Sequence, residues 1–224
     1  MSTKPLDTTV DTRDMVEMHR VFRRELRLAP ALVRATADGD MRRAKTVSRH
    51  VALLTLLVES HHANQDGLLW PALLEHVPEH LGPVVGLMET QHRQIHDLMQ
   101  AVTDLIPAWT ESAAAPERDR LGDALDRLYP VLVEHLDTEE NQIPPLVAGH
   151  LPAADYRQIG AKAVLGLPQA RLALIYGMLK YEGDPGGVAA ILACAPPPAR
   201  VLLPILGPLI HRRYVKRVHG TTTP

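Results

Sequence analysis

Ten residues separate His61 from Pro71, and ten separate His135 from Pro145. The first interval reads HHANQDGLLWP and the second HLDTEENQIPP, so a histidine is followed by acidic or amide residues and then by proline in both. Another histidine precedes each at nearly equal distance: His19 lies 42 residues before His61, and His92 lies 43 before His135. The chain thus carries an internal duplication whose repeated residues are ones that bind metals. A duplicated helical hairpin with ligands in each copy is a way for a bundle to surround two metal ions.

Placed on helices, these histidines fall on apolar stripes. His19 follows Met15 and Val16 and precedes Phe22 and Leu26. His61 continues a stripe from Leu54, Leu57 and Val58, and passes it to Gln65 and Leu68. His92 follows Met88 and precedes Ile95, His96 and Met99, while His135 follows Leu128, Val131 and Leu132. Three of the four have a second polar residue one turn later: Gln65, His96 and Glu139. Side chains four apart share a helix face, so each such pair can reach one metal centre. A buried imidazole or carboxylate is unfavourable unless paired or coordinated. Imidazole nitrogen suits iron, zinc and similar ions, and a carboxylate can bridge two cations and offset their charge.

A single histidine on an apolar stripe is usually a satisfied core residue, but four in register across a duplication argue for coordination. His50, His76, His80, His150, His211 and His219 lie off the stripes or near helix ends and read as ordinary structural or surface residues. His62 is assigned with them, although it pairs with Asp66 as His61 does with Gln65. The alignment of Pro71 with Pro145 favours His61, and leaves His62 and Asp66 as a possible metal pair or as partners of the ligands.

Elements must position these groups, and the composition says which. Aromatic residues make up only 4% of the 224 residues, Leu, Ala and Val abound, and no alternating run of useful length occurs. An all-α fold follows. Amphipathic segments are expected from Asp11 to Thr36, with a break or kink at Pro30, and from Met41 to Leu74, capped by Asp40. Two more run from Leu81 to Trp109 and from Glu117 to about Val147, with a bend at Pro130. Long segments with short connections predict an up-down-up-down four-helix bundle over residues 10–150. Residues 151–224, punctuated by GDPGG and APPPA, read as a C-terminal extension of shorter helices. It is expected to pack on the bundle through Leu165, Leu172, Leu174, Ile175, Leu202 and Leu203.

The balance of charge excludes other classes. With 24 basic and 26 acidic side chains the formal net charge is -2, which suggests neither nucleic acid nor an anionic membrane as partner. The single cysteine, Cys194, rules out an internal disulfide and a thiolate-rich metal site. GDPGG lacks the strand and lysine of a phosphate loop, and HRRYVKRVH reads as a solvated helix end. The polar start MSTKPLDTTVDTRD has no apolar segment of a secretory signal, and the apolar stretch from Val201 to Ile210 is too short to span a bilayer. A cytoplasmic protein is the expectation.

The pattern His19, His61-x3-Gln65, His92-x3-His96, His135-x3-Glu139 resembles the hemerythrin family, and HHxxxDxLLWP and EHLxxEE resemble its bacterial HHE-domain branch. The likeness is close over residues 10–150, and the whole chain with its VHGTTTP ending is similar to hemerythrin-domain proteins of actinobacterial type. The resemblance implies a four-helix bundle with a non-haem di-iron centre reacting with O2, peroxide or NO, held by His19, His61, His92, His96, His135 and Glu139. Where the family has a bridging glutamate this chain has Gln65, which offers only a neutral carbonyl oxygen. His96 in turn restores a His-x3-His pair found in oxygen-carrying members. Two alternatives stand beside a binding protein: a di-iron oxidase or peroxide-disproportionating enzyme acting on peroxide or a small organic substrate, and a helical regulatory module whose metal is structural or lost.

Overall fold

The computed structural model describes residues 10–76 and 78–224. Among the described residues the regular structure is helical and no strand is present. Helix α1 spans Arg13–Arg34 and α2 spans Met41–Asn64. A π-helical turn, Gln65–Leu69, carries α2 into α3, Trp70–His76. Two long helices follow, α4 (Pro78–Ser112) and α5 (Ala115–His150). The C-terminal part adds α6 (Ala153–Gly166), α7 (Leu172–Glu182), α8 (Pro185–Cys194) and α9 (Pro197–His219).

Most of the stripes read from the sequence are buried, while Met15, Val16, Leu68 and Val131 are half-buried. Phe22, Leu26, Ala29 and Val33 of α1 meet Val47, Val51, Leu54 and Val58 of α2, Ile95 and Met99 of α4, and Leu121, Leu125, Leu128 and Leu132 of α5 in one core. Asp40 caps α2 by accepting the Arg43 backbone N–H at 2.9 Å. The proline at position 30 does not end α1, because Ala29 and Val33 on either side of it are locked into the core and carry the helix to Arg34. Pro130 likewise lies inside a continuous α5. In cyclic order α1 packs on α2, α2 on α4, α4 on α5 and α5 on α1, which is the up-down-up-down four-helix bundle.

Helices α7 and α8 lie against α1, and α6 and α9 reach α2. Leu174, Ile175 and Leu203 are buried in the same core, and Leu172 is partly buried against it. Leu165 and Leu202 do not pack as expected: they are 60% and 51% exposed. Leu202 belongs to an outward stripe of α9 that also shows Val201, Ile205 and Leu209. Polar contacts also fasten the extension. The buried Glu17 carboxylate of α1 accepts the Asp184 N–H at 3.0 Å, beside the start of α8. GDPGG is therefore a turn and helix start, in which the Asp184 side chain caps Gly186 and Gly187. Arg43 donates to the carbonyls of Arg217 and Val218 near the end of α9. In HRRYVKRVH, His211, Tyr214, Val215 and Val218 face inward and the four basic residues face out.

Helices α7 and α9 cross at two glycines. A Cβ on Gly177 would sit 2.5 Å from the Cβ of His211 and against the carbonyl oxygen of Gly207. Neither neighbour is a flexible side-chain tip. Gly177→Ala should therefore push α7 off α9 and destabilise by roughly 1–3 kcal/mol or more, as overpacked cores do. An unchanged denaturation midpoint would contradict this contact.

Candidate metal centre

Two groups of donor atoms meet between the four long helices. His19 from α1, His61 from α2 and Glu139 from α5 form the first; His62 from α2, His92 from α4 and His135 from α5 form the second. Within each group, one ligand atom of every residue lies within 4.8 Å of the others. The Oε2 atom of Glu139 stands between the groups, 3.4 Å from His19 Nε2, 3.9 Å from His61 Nε2 and 3.5 Å from His135 Nε2. The rings of His62 and His92 stack with centroids 4.0 Å apart.

Local structure explains how one helix serves both groups. Neighbouring residues on a helix point about 100° apart. Since α2 packs between α1 and α4, His61 turns toward His19 and His62 toward His92. The helix then widens into the π turn, where the Trp70 N–H donates to the Gln65 carbonyl five residues back; such turns recur at functional sites. Next to it, Gln65 and Asp66 diverge as the two histidines do. The Gln65 amide Nε2 donates to Glu139 Oε1, while Asp66 Oδ1 accepts from Trp70 Nε1 at 2.9 Å and from His92 Nδ1 at 2.8 Å.

A set of acceptors fixes the imidazoles from behind. Asp66 holds His92 Nδ1, the Gln91 side-chain oxygen lies 3.1 Å from His135 Nδ1, and Glu140 lies 2.9 Å from His19 Nδ1. Glu140 is itself held by Arg23 at 2.5 Å. Acceptors on Nδ1 leave the Nε2 lone pair free to face inward, the arrangement that supports metal-bound histidine. Burial pushes His62 well below the usual imidazole range and His92 down to about 4, so both are neutral donors near pH 7. For Glu139 burial acts upward, but the charge interaction with His19 and the contacts of His135 and His61 outweigh it and hold the carboxyl well below its ordinary value.

The fit to metal ions rests on what these atoms lack. The Nε2 atoms of His62, His92 and His135, Oε2 of Glu139 and Oε1 of Gln65 are fully buried without hydrogen-bond partners. Orphaned buried polar atoms are rare because each costs free energy. Five of them converging on one region, all with lone pairs, match the demand of cations coordinated by nitrogen and oxygen.

Of the expected ligands, His19, His61, His92, His135 and Glu139 come together. His96 does not: its side chain is 61% exposed and its Nδ1 lies 3.8 Å from Glu59. The buried face of α4 runs through Ile95 and Met99 instead, and four residues beyond His92 the helix has rotated His96 outward. His62, set aside in favour of His61, is a full member of the second group. Gln65 faces Glu139, and Asp66 orients His92 from outside. Glu140 and Gln91 were not legible as partners, although each adjoins a ligand in sequence.

Of the histidines read as ordinary, His50 and His211 are buried and His219 is half-buried. His50 and His219 flank Glu25, whose Oε2 lies 3.2 Å and 3.1 Å from their Nε2 atoms. Tyr214 Oη lies 2.9 Å from His50 Nδ1. Both Arg24 Nε and Nη2 donate to the other carboxylate oxygen. This guanidinium already balances the Glu25 charge, so the group is a clamp fastening α9 to α1 and α2. Burial lowers the His50 pKa and brings His211 down to about 4. His211 is then neutral when folded near pH 6, while the unfolded chain binds its proton near pH 6.5. The depressed His211 pKa should therefore lower stability as pH drops from 6.5 toward 4, by up to about 1.4 kcal/mol per pH unit. Urea denaturation between pH 7.5 and 5 measures that slope, and His211→Gln should flatten it. His80 lies outside the described side chains; His76 and His150 are exposed helix-end residues.

A four-helix bundle in which each of α1, α2, α4 and α5 sends an imidazole or carboxylate to one buried cluster of donors belongs to the class of metal-binding helical bundles. Residues 10–147 match the family described as Hemerythrin HHE cation binding domain, which is more than half of the chain; the protein belongs to that family. No curated protein and no solved structure matches the chain. No described helix is long and apolar enough to cross a membrane.

Proposed function

We propose that the bundle holds two non-haem iron ions and binds or reacts with O2, peroxide or NO. The observation that carries this reading is the convergence of five buried, unpartnered donor atoms on two adjacent groups joined by Glu139. One ion would be held by His19, His61 and Glu139, the other by His62, His92 and His135, with the Gln65 carbonyl beside them. Iron bound there would supply reversible electron transfer and an open position for a small ligand. The chain's own residues do the rest. Asp66, Gln91 and Glu140 keep the imidazoles oriented, Trp70 fixes Asp66, and burial among α1, α2, α4 and α5 excludes bulk water.

Metal analysis and optical spectroscopy of protein from iron-replete cells test the reading. Two irons per chain are expected, with near-ultraviolet absorption that changes on addition of NO or peroxide. Protein that carries no stoichiometric iron would sink it and favour a structural or lost site. A second reading, a di-iron oxidase, is favoured by an apolar cavity against His61 and Gln65. Steady turnover of peroxide, rather than one-to-one binding, would select the enzyme.

A further inference from the structure

A cavity of about 150 Å³ lies where the bundle meets the C-terminal helices. Met15 and Met18 of α1, Leu57 of α2, Ile159 and Val164 of α6 and Ile191 of α8 supply its walls. Its polar lining includes His61 and Gln65, and also Tyr156, whose Oη donates to Asp14 Oδ1 at 2.6 Å. His61 is the one half-buried member of the two donor groups, and it is among the residues that face this space.

We propose that this cavity is a binding site for a small, neutral, apolar organic molecule, delivered by the C-terminal helices to the edge of the donor groups. Size is the first argument. Apolar protein cavities of roughly this volume accept benzene or xenon, so the occupant has about six to eight non-hydrogen atoms. Charge is the second. The lining holds no lysine or arginine, so a carboxylate or phosphate would lose its hydration without a counter-charge. Burial also raises the pKa of the Asp14 carboxyl, which makes this end of the cavity still less suited to an anion. Water is the third. An ordered water needs two to four polar partners, and the walls are mostly aliphatic and thioether surface, which is gained by an apolar body instead. The role of α6 and α8 follows: without them Met15, Met18 and Leu57 would be an open face of the bundle.

The binding itself stands without the iron reading; only its link to the donor groups rests on that reading. Isothermal titration of the protein as purified with toluene should saturate at one molecule per chain. Ala163 of α6 also lines the cavity, and Ala163→Leu should weaken binding at least tenfold while the fold, followed by circular dichroism, persists. Should that variant not fold, Ile191→Phe is the replacement, with the same expectation. Crystals under xenon pressure should show density among Met15, Met18 and Val164. No saturable toluene binding, unchanged affinity in the filled variant, or xenon elsewhere would overturn the proposal. Iron content is measured on the same samples. Full iron without toluene binding overturns the cavity alone, and toluene binding without iron overturns the iron reading alone.

Discussion

Glu139→Gln is expected to abolish stoichiometric metal binding. Glu139 is the one carboxylate in the two groups, and its Oε2 lies within 3.4–3.9 Å of an Nε2 atom from three histidines. Two divalent cations in a buried site would otherwise be surrounded by neutral imidazoles, with no negative charge to offset their repulsion. Changing the groups that merely orient ligands lowers metal affinity by about 10–100-fold, so removing the shared charged ligand should exceed that. Chelator competition followed by elemental analysis measures the loss. His96→Ala, an exposed position, should retain full metal and serves as the control. Equal metal content in both variants would mean that the donor groups do not hold the ions.

Gln65→Glu should act in the opposite direction. The amide of Gln65 donates to Glu139, so a carboxylate in its place would set two buried negative charges side by side. In metal-free protein that pair repels and must share a proton, lowering stability. With cations present it supplies a second anionic donor. The gap in melting temperature between metal-loaded and stripped protein should widen, and release of metal to a chelator should slow by about tenfold or more. His61→Ala and His62→Ala should each lower metal content, since the two residues serve different groups. Metal loss in only one of them would assign a single group as the binding site. A Gln65→Glu protein that loses metal faster than the parent would show that residue 65 does not face the ions.

Most of the bundle was legible because its signal is periodic. Stripes such as Leu54, Leu57, Val58 and His61 report a helix face directly, and the duplication marked which faces converge. The register within the site was less so. Sequence spacing allots one inward face to a helix, whereas α2 packs between α1 and α4, so that His61 and His62, about 100° apart, both point inward, and Gln65 and Asp66 diverge in the same way at the π turn. His96 misled for a related reason: a spacing of four drifts around the helix, and on α4 the position three after His92, Ile95, is the buried one. His50, His211 and His219 read as ordinary structural or surface residues, and spacing could not show the clamp on Glu25, because it joins His50 of α2 and His219 of α9 from distant parts of the sequence. Leu165 and Leu202 failed conversely, since apolar content alone does not say which side of a short helix meets the core. Glu140 and Gln91 act only through the ring nitrogens they hold, and no spacing rule marks such partners.

The adjacency of His61 and His62 has a thermodynamic consequence. One backbone segment feeds both donor groups, and Glu139 touches both. An ion taken up by the first group would fix the rotation of α2 about its axis and the placement of the shared carboxylate, leaving the second group already ordered. The ordering penalty is then met once for two binding events, so uptake should be cooperative. Titration of stripped protein should pass from empty to doubly loaded with little singly loaded species between.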